Sequence, residues 1–260
     1  MNNNLHSTLI TAAFSLAAAS QLSATISIIP GGSGTFIEAS PVTYDYTALS
    51  SFDASAASKL VVTVSDELGS GDDAITGITF GGVSLNPIVS ATNPGGFQNV
   101  YMYYLDASSV SGGVFGTGDL VITGPNGSGE DNDFGGSYFF LNGTADGFAA
   151  TAVDDNATSV SLTTTAANSW VIAAYADNSG NATADAPMTQ VLGGLDVGSA
   201  GGASGYQEIA TIGTNNFSFS HVGGLSRPVT IAAEFTAIPE PSTALLGALG
   251  GLCLLHRRRR

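Results

Sequence analysis

The sequence predicts an all-β protein whose main body is a single large antiparallel β-sandwich. Apolar and polar residues alternate with a period of two along several short segments, the pattern of half-buried strands. Turns rich in glycine, asparagine and aspartate separate these segments. No long amphipathic helix pattern occurs before the C-terminal segment, so a helical or α/β body is not expected.

The alternation is clearest at residues 60–65, 159–163 and 229–236. Residues 78–80 and 83–85 flank Gly81-Gly82, which predicts a tight β-hairpin. Further strands are predicted at 99–105, 119–123, 137–141, 169–176, 206–212 and 216–222. Many short strands at even spacing are typical of a jelly-roll or immunoglobulin-like sandwich, and the pattern does not decide between the two.

Three segments follow from the composition: 1–24, a body at 25–237, and 238–260. The glycine-rich stretch at 193–205 resembles a linker inside the body. Too few residues follow it to form a second sandwich, so we expect one domain. A core of this size is large enough to be stable without covalent cross-links.

The charge of the body excludes one class of partner. The 260-residue chain has a formal net charge of −15, and its body carries only Lys59 and Arg227 against 20 carboxylates. A nucleic-acid binder needs cations to replace phosphate counterions, so no nucleic-acid partner is expected. The single cysteine, Cys253, excludes an intrachain disulfide and a cysteine-based zinc site.

Residues 1–24 have the features of a secretory signal. An apolar run at 9–19 is followed by small residues that suit signal peptidase at Ala19 or Ala24. The first seven residues contain no lysine or arginine, so a buried first helix or strand is the alternative. Export through the secretion machinery is the prediction.

Residues 238–260 predict a membrane helix with a basic end. The stretch at 244–255 is apolar, and the cluster that follows it consists of Arg257, Arg258, Arg259 and Arg260. Counted from Pro239, the low-charge stretch would span roughly 27 Å as a helix, close to the ~30 Å of a bilayer core. The arginines would stay in the cytoplasm, which places the body outside.

The order of Pro239, Glu240 and Pro241, an apolar helix and an arginine cluster resembles the PEP-CTERM sorting tail. That family's tail is recognised by exosortase, a membrane-embedded cysteine protease of Gram-negative bacteria that make exopolysaccharide. The resemblance implies a precursor anchored in the inner membrane, cleavage near 239–241, and a mature form at the cell surface or outside the cell. Pro239, Glu240 and Pro241 are then a substrate signal.

A second resemblance concerns the body. The hairpin at 79–85, followed by the aromatic strand at 101–105, is similar to uncharacterised bacterial and phage β-sandwich domains. Those domains imply no activity.

The sequence does not predict an enzyme. The body's one histidine, His221, shares a strand face with Phe217 and Phe219, whereas Ser220 points to the opposite face. No G-x-S-x-G elbow occurs. The carboxylates fall in predicted loops, and no pair stands out as the acid and base of a glycosidase.

Two weaker sites are predicted. Asp72, Asp73, Asp131 and Asp133 lie in acidic loops that could bind Ca²⁺, and solubilising charge is the alternative. No other cofactor is expected. Tyr101 and Tyr103 share one face of a strand and could stack on a sugar, or pack in the core.

The function predicted is that of an exported, non-enzymatic protein of the cell surface or exopolysaccharide matrix, sorted and cleaved by exosortase. The first alternative is a carbohydrate-binding module that contacts the exopolysaccharide. A carboxylate-based glycosidase or lyase comes after it. Release from the cell and attachment to its surface both remain open.

Overall fold

The computed structural model describes residues 25–39, 43–46, 49, 52–67, 75–123, 133–178, 181–197, 200–221 and 227–238. Within these ranges the protein is all-β, as predicted, with 17 strands and no α-helix. Every strand pair is antiparallel. Residues 25–237 form one compact unit.

The first nine strands build two sheets. They are β1 (Ser27–Ala39), β2 (Thr43–Tyr46), β3 (Lys59–Glu67), β4 (Gly77–Phe80), β5 (Val83–Ser84), β6 (Asn86–Thr92), β7 (Gln98–Asp106), β8 (Leu120–Thr123) and β9 (Asp133–Asn142). Sheet I has the order β1-β9-β3-β7-β6, and sheet II has the order β2-β8-β4-β5. The predicted hairpin is confirmed, since β4 and β5 flank Gly81 and Gly82 at φ +56° and +79°, values that suit a type I′ turn.

The remaining eight strands build two more sheets. They are β10 (Ala150–Asp154), β11 (Ser159–Thr163), β12 (Ser169–Asp177), β13 (Ala182–Ala184), β14 (Thr189–Val197), β15 (Ala200–Ile209), β16 (Thr214–His221) and β17 (Val229–Phe235). Sheet III has the order β10-β17-β12-β15-β14, and sheet IV has the order β11-β16-β13. The chain passes from the first half to the second through residues 143–149.

The two halves share one topology. Strands β1, β9, β3, β7 and β6 of sheet I correspond in order to β10, β17, β12, β15 and β14 of sheet III. In the smaller sheets, β2, β8 and β4 correspond to β11, β16 and β13, and β5 has no counterpart. The body is therefore a structural duplication, in which each half is a two-layer arrangement of the same strand order.

The four sheets stack in the order II, I, III, IV. Sheet II packs on sheet I through a first core cluster that includes Ile78 and Val62. Sheet I packs on sheet III through a second cluster that includes Met102 and Ile231. Sheet III packs on sheet IV through a third, which includes Phe217. Each larger sheet is consequently covered on both faces.

The two larger sheets face each other with their strand orders reversed. Strand β1 contacts β14, β3 contacts β12, and β6 contacts β10. Because β14 corresponds to β6 and β10 to β1, each half presents the same surface to the other. This is the geometry of an isologous contact between two copies of one unit.

The prediction of half-buried strands is wrong for β3 and β17 and confirmed for β11. Strands β12 and β17 are buried along their whole length, and β3 is buried except at its last residue. Thr63 and Ser65 of β3 face sheet III, not water. Thr63 Oγ1 bonds Ser137 Oγ at 2.7 Å, Ser137 Oγ bonds Ser204 Oγ at 2.6 Å, and Ser65 Oγ donates to the Tyr175 carbonyl at 2.9 Å.

The glycine-rich stretch at 193–205 is not a linker. It forms most of β14 and β15, and its glycines allow sheets I and III to approach closely. A Cβ on Gly202 would lie 2.7 Å from Ser65 Oγ, and a Cβ on Gly135 would lie 2.9 Å from Leu195 Cδ2. Small residues are therefore required where the two halves meet.

The predicted signal segment at 1–24 and the tail at 239–260 lie outside the described residues. The part of the chain that the structure describes contains no helix with the length and hydropathy of a membrane span.

Candidate functional site

Each half has a buried aspartate near the end of its central strand. Asp66 of β3 is 3 % exposed and Asp177 of β12 is 0 % exposed. Both point away from the contact between the halves and towards the smaller sheet of their own half, by the alternation of their strands. The duplication therefore places two carboxylates at equivalent positions. Tyr101 lies close to Asp66, and Tyr175 contacts Asp177.

In the second half, Asp177 binds a histidine and a tyrosine. His221 Nε2 lies 3.1 Å from Asp177 Oδ2, and the Tyr175 hydroxyl donates to the same oxygen at 2.8 Å. The His221 side chain is 3 % exposed and Tyr175 is fully buried. The Tyr175 ring stacks on Phe219 with 5.4 Å between centroids. These contacts close the cluster from the solvent.

This cluster lacks the geometry of a hydrolase. A histidine base must reach a nucleophile that a substrate can also reach. Ser220 is exposed on the opposite face of β16, as the alternation of side chains along the strand predicts. The Tyr175 hydroxyl already donates its hydrogen bond to Asp177. The arrangement orders the end of the sandwich, where β12 and β16 finish.

The buried tyrosines predict a loss of stability in alkaline solution. Burial, and then the charge of Asp177, raises the pKa of Tyr175; burial and the charge of Asp66 raise the pKa of Tyr101. A raised folded-state pKa gives stability that is complete below the unfolded pKa of about 10 and is lost as the pH rises towards the folded value. Each tyrosine should steepen the decline by about 1.4 kcal/mol per pH unit.

Tyr175→Phe should therefore reduce the slope of unfolding free energy against pH by about 1 kcal/mol per pH unit between pH 10 and 11, where the unfolded tyrosine is not yet fully ionised. Urea unfolding at several pH values measures it. The change in the free energy of unfolding at pH 7 measures the cost of the lost hydrogen bond, and the change in slope above pH 10 measures the lost ionisation of residue 175. An unchanged slope would contradict this assignment.

The two tyrosines predicted to bind a ligand lie in the first core. Tyr101 is 8 % exposed and Tyr103 is half-buried, and their rings are 6.4 Å apart at 33° to each other. The next residues along β7, Met102 and Tyr104, pack towards sheet III. Neither face of β7 is free because its sheet is covered on both sides. The Tyr101 ring offers little surface to a sugar.

The predicted calcium ligands are mostly not described. Asp72, Asp73 and Asp131 lie outside the described residues, and Asp133 begins β9 without a described side chain. Among the side chains that are described, no three histidine, cysteine or carboxylate groups converge as a metal site. The calcium hypothesis stays a prediction.

A third polar cluster lies where the two halves join. Lys59 at the start of β3 pairs across the ladder with Asp106 at the end of β7, and its Nζ donates to Asp106 Oδ1. Lys59 is 0 % exposed and Asp106 is 6 % exposed. Asp106 Oδ2 accepts the Gly147 N–H at 2.8 Å, which fixes the connecting segment 143–149 to sheet I. We call these three residues the junction cluster.

Both cations of the body stand between the halves. The Lys59 Nζ lies 5.9 Å from the Phe235 ring centroid in the second half. The Arg227 guanidinium of the second half lies 3.8 Å from the Phe97 ring of the first. Their use in this contact leaves the surface of the described body dominated by carboxylates.

No pattern in the sequence indicates the partners of these cations or the burial of Glu234. Glu234 is 0 % exposed and accepts the Thr165 and Ala166 N–H groups and the Thr165 hydroxyl. A glutamate in an alternating strand predicts an exposed side chain. Its role depends on a turn nearly 70 residues away in sequence.

The sorting residues Pro239, Glu240 and Pro241 and the arginines at 257–260 lie outside the described residues. Comparison of the chain with protein-family models, with curated proteins and with solved structures finds no match. The function must therefore be inferred from the residues and geometry of this chain.

Proposed function

We propose that this is an exported, non-enzymatic protein of the cell surface or exopolysaccharide matrix, sorted and cleaved by exosortase. The observation that carries the proposal is the tail: Pro239-Glu240-Pro241, then an apolar stretch, then four arginines. The last strand, β17, ends at Phe235, and the tail begins four residues later, at Pro239. A residue that precedes a proline favours the extended backbone that proteases bind, so the order Pro-Glu-Pro suits a protease signal.

The body supports a structural role. The buried polar side chains described above bind other parts of the fold: Glu234 holds a turn, Asp177 holds Tyr175 and His221, and the hydroxyl groups of Ser137 and Ser204 join the two larger sheets. An active site needs polar groups that converge on a space open to a substrate. The described clusters are closed instead.

For the fold of each half we propose a jelly roll. Eight strands in two sheets, with the first strand beside the last, the third between the last and the sixth, and the second beside the seventh, follow that topology. The order β10-β17-β12-β15 in sheet III and β11-β16-β13 in sheet IV supports it. An immunoglobulin-like order would place different strands side by side.

The surface also favours a passive component over a glycan-binding module. Sugar-binding sandwiches present flat aromatic rings to solvent. Among the aromatic side chains that the structure describes, only Phe148 is exposed. The acidic surface keeps copies apart and opposes strand pairing between sheet edges.

Replacement of Pro239, Glu240 and Pro241 by alanine tests the sorting proposal. The variant should stay in the inner membrane with its tail, because the protease signal is gone while the anchor remains. Replacement of Ser242 and Thr243 by alanine is the control, and this protein should leave the membrane as the wild type does. Fractionation and immunoblotting measure both. Normal release of the triple variant would contradict the proposal.

A further inference from the structure

The junction cluster brings the chain's single lysine against a carboxyl group in a buried site. Lys59 is the only lysine among the 260 residues. It is fully buried, although a lysine ammonium is rarely buried without strong compensation. Its Nζ contacts Asp106 Oδ1 across the β3–β7 ladder, so amine and carboxyl are held together by backbone pairing.

The surroundings favour the neutral amine. Burial lowers the pKa of Lys59, and the charges of Asp106 and Asp146 offset this only in part. The Tyr104 ring lies 5.0 Å and the Phe235 ring 5.9 Å from the Nζ. These aromatic walls exclude water, and an unprotonated amine in such a site is a nucleophile.

The carboxyl group is held from its other oxygen. The Gly147 N–H donates to Asp106 Oδ2 at 2.8 Å. A donor at this position stabilises negative charge on Oδ2 if the carboxyl carbon becomes tetrahedral. Asp146 lies beside the pair, exposed to solvent and bonded by the Ser108 hydroxyl at 2.9 Å, where it can exchange protons with water.

We propose that Lys59 and Asp106 condense to an intramolecular amide that cross-links β3 to β7. The Nζ bonds to the Asp106 carboxyl carbon, and the bond from that carbon to Oδ1 breaks. One proton of the Lys59 ammonium passes to the Asp106 carboxyl group, which leaves the neutral amine that attacks. A second proton then leaves the nitrogen, with Asp146 as the relay, and Oδ1 departs with both protons as one water molecule. Ammonium and carboxylate thus become a neutral amide and water, without any oxidant or cofactor.

The product suits the site better than the ion pair. Condensation removes two buried charges, whose desolvation is costly, and releases a water molecule from an apolar enclosure. Oδ2 becomes the amide oxygen and keeps its Gly147 donor. The bond would close a loop between residues 59 and 106 and thereby constrain the unfolded chain, as a disulfide does. The chain has no pair of cysteines for that purpose.

The test uses the full-length wild-type chain, purified in detergent. Because Lys59 is the only lysine, an amine-reactive reagent applied to the denatured chain should label the α-amino group and leave residue 59 unlabelled. The intact mass should be lower than the sequence mass, after any processing, by one water molecule. Tandem mass spectrometry should find the peptides of Lys59 and Asp106 joined.

Two variants provide the controls. Lys59→Arg and Asp106→Ala should both show the full mass, and residue 59 of the second should be labelled after denaturation. The wild-type result decides the question whether or not these variants fold. A wild-type chain of full mass with Lys59 labelled would overturn the proposal and leave an ordinary buried ion pair.

Discussion

Replacement of Gly136 by alanine is expected to lower the free energy of unfolding by about 3 kcal/mol or more. Gly136 lies in β9, the second strand of sheet I, between β1 and β3. A Cβ there would collide with the Thr63 carbonyl oxygen of β3 and with the Phe36 ring of β1. The carbonyl belongs to a strand fixed by pairing on both sides, so it cannot move away without loss of ladder hydrogen bonds.

Gly77→Ala is the matched control. Gly77 also lies in a strand, β4, but a Cβ there would meet no atom within 4 Å. Its stability should stay within about 0.5 kcal/mol of the wild type. Shortening Phe36 to alanine should fail to rescue Gly136→Ala, because the backbone clash remains. If urea unfolding shows that Gly136→Ala is folded and as stable as the wild type, that result would contradict the placement of β9 between β1 and β3.

Replacement of Glu234 by alanine should lower the free energy of unfolding by about 3–5 kcal/mol. The carboxylate accepts the Thr165 N–H at 2.9 Å, the Thr165 hydroxyl at 2.9 Å and the Ala166 N–H at 3.1 Å. Alanine would leave these donors unsatisfied in a partly buried turn. Bonds to a charged acceptor are the stronger kind, so their loss is costly.

Two controls separate these bonds from other effects. Glu234→Gln keeps the volume and one acceptor oxygen, and its loss should be intermediate. Glu208→Ala removes an exposed glutamate from β15, two strands from β17 in the same sheet, and the stability should change by less than about 0.5 kcal/mol. Equal effects at 234 and 208, measured by urea unfolding, would show that Glu234 does not hold the turn.

The sequence predicts the strands of this fold better than the way its sheets stack. The predicted strands at 60–65, 159–163 and 229–236 fall within one residue of, or inside, β3, β11 and β17. Period-two alternation depends only on neighbours along the chain, so these strands could be found. Alternation cannot say what faces the polar side, which for β3 is a second sheet.

The sequence prediction misses β1, β2, β6, β10, β13 and β14, and of these only β1 and β14 contain glycine. Strand β1 contains Pro30 and four glycines or serines in its middle, where its pairing with β9 shifts register. In β15, Gly202 faces Ser65 of the first half with no space for a Cβ, whereas Gly193 of β14 and Gly205 of β15 are crowded by Gln190 and Thr189 of their own half. A stretch with this composition resembles a loop unless the opposing sheet is known.

The polar clusters show the same limit. His221 was assigned to the face of Phe217 and Phe219, and its side chain is buried there. Its partner Asp177 lies on another strand, and the partners of Lys59 and Glu234 are 47 and 69 residues away. Such contacts come from the topology of the whole body. Alternation along one strand contains no information about them.

The C-terminus of the mature protein tests the proposed sorting most directly. Wild-type protein recovered from the cell surface or the medium would be analysed by intact mass and by sequencing of its C-terminal peptide. The account predicts a chain that ends near residues 239–241, without the apolar stretch and the arginines. Surface protein that still ends in Arg257–Arg260 would contradict cleavage by exosortase.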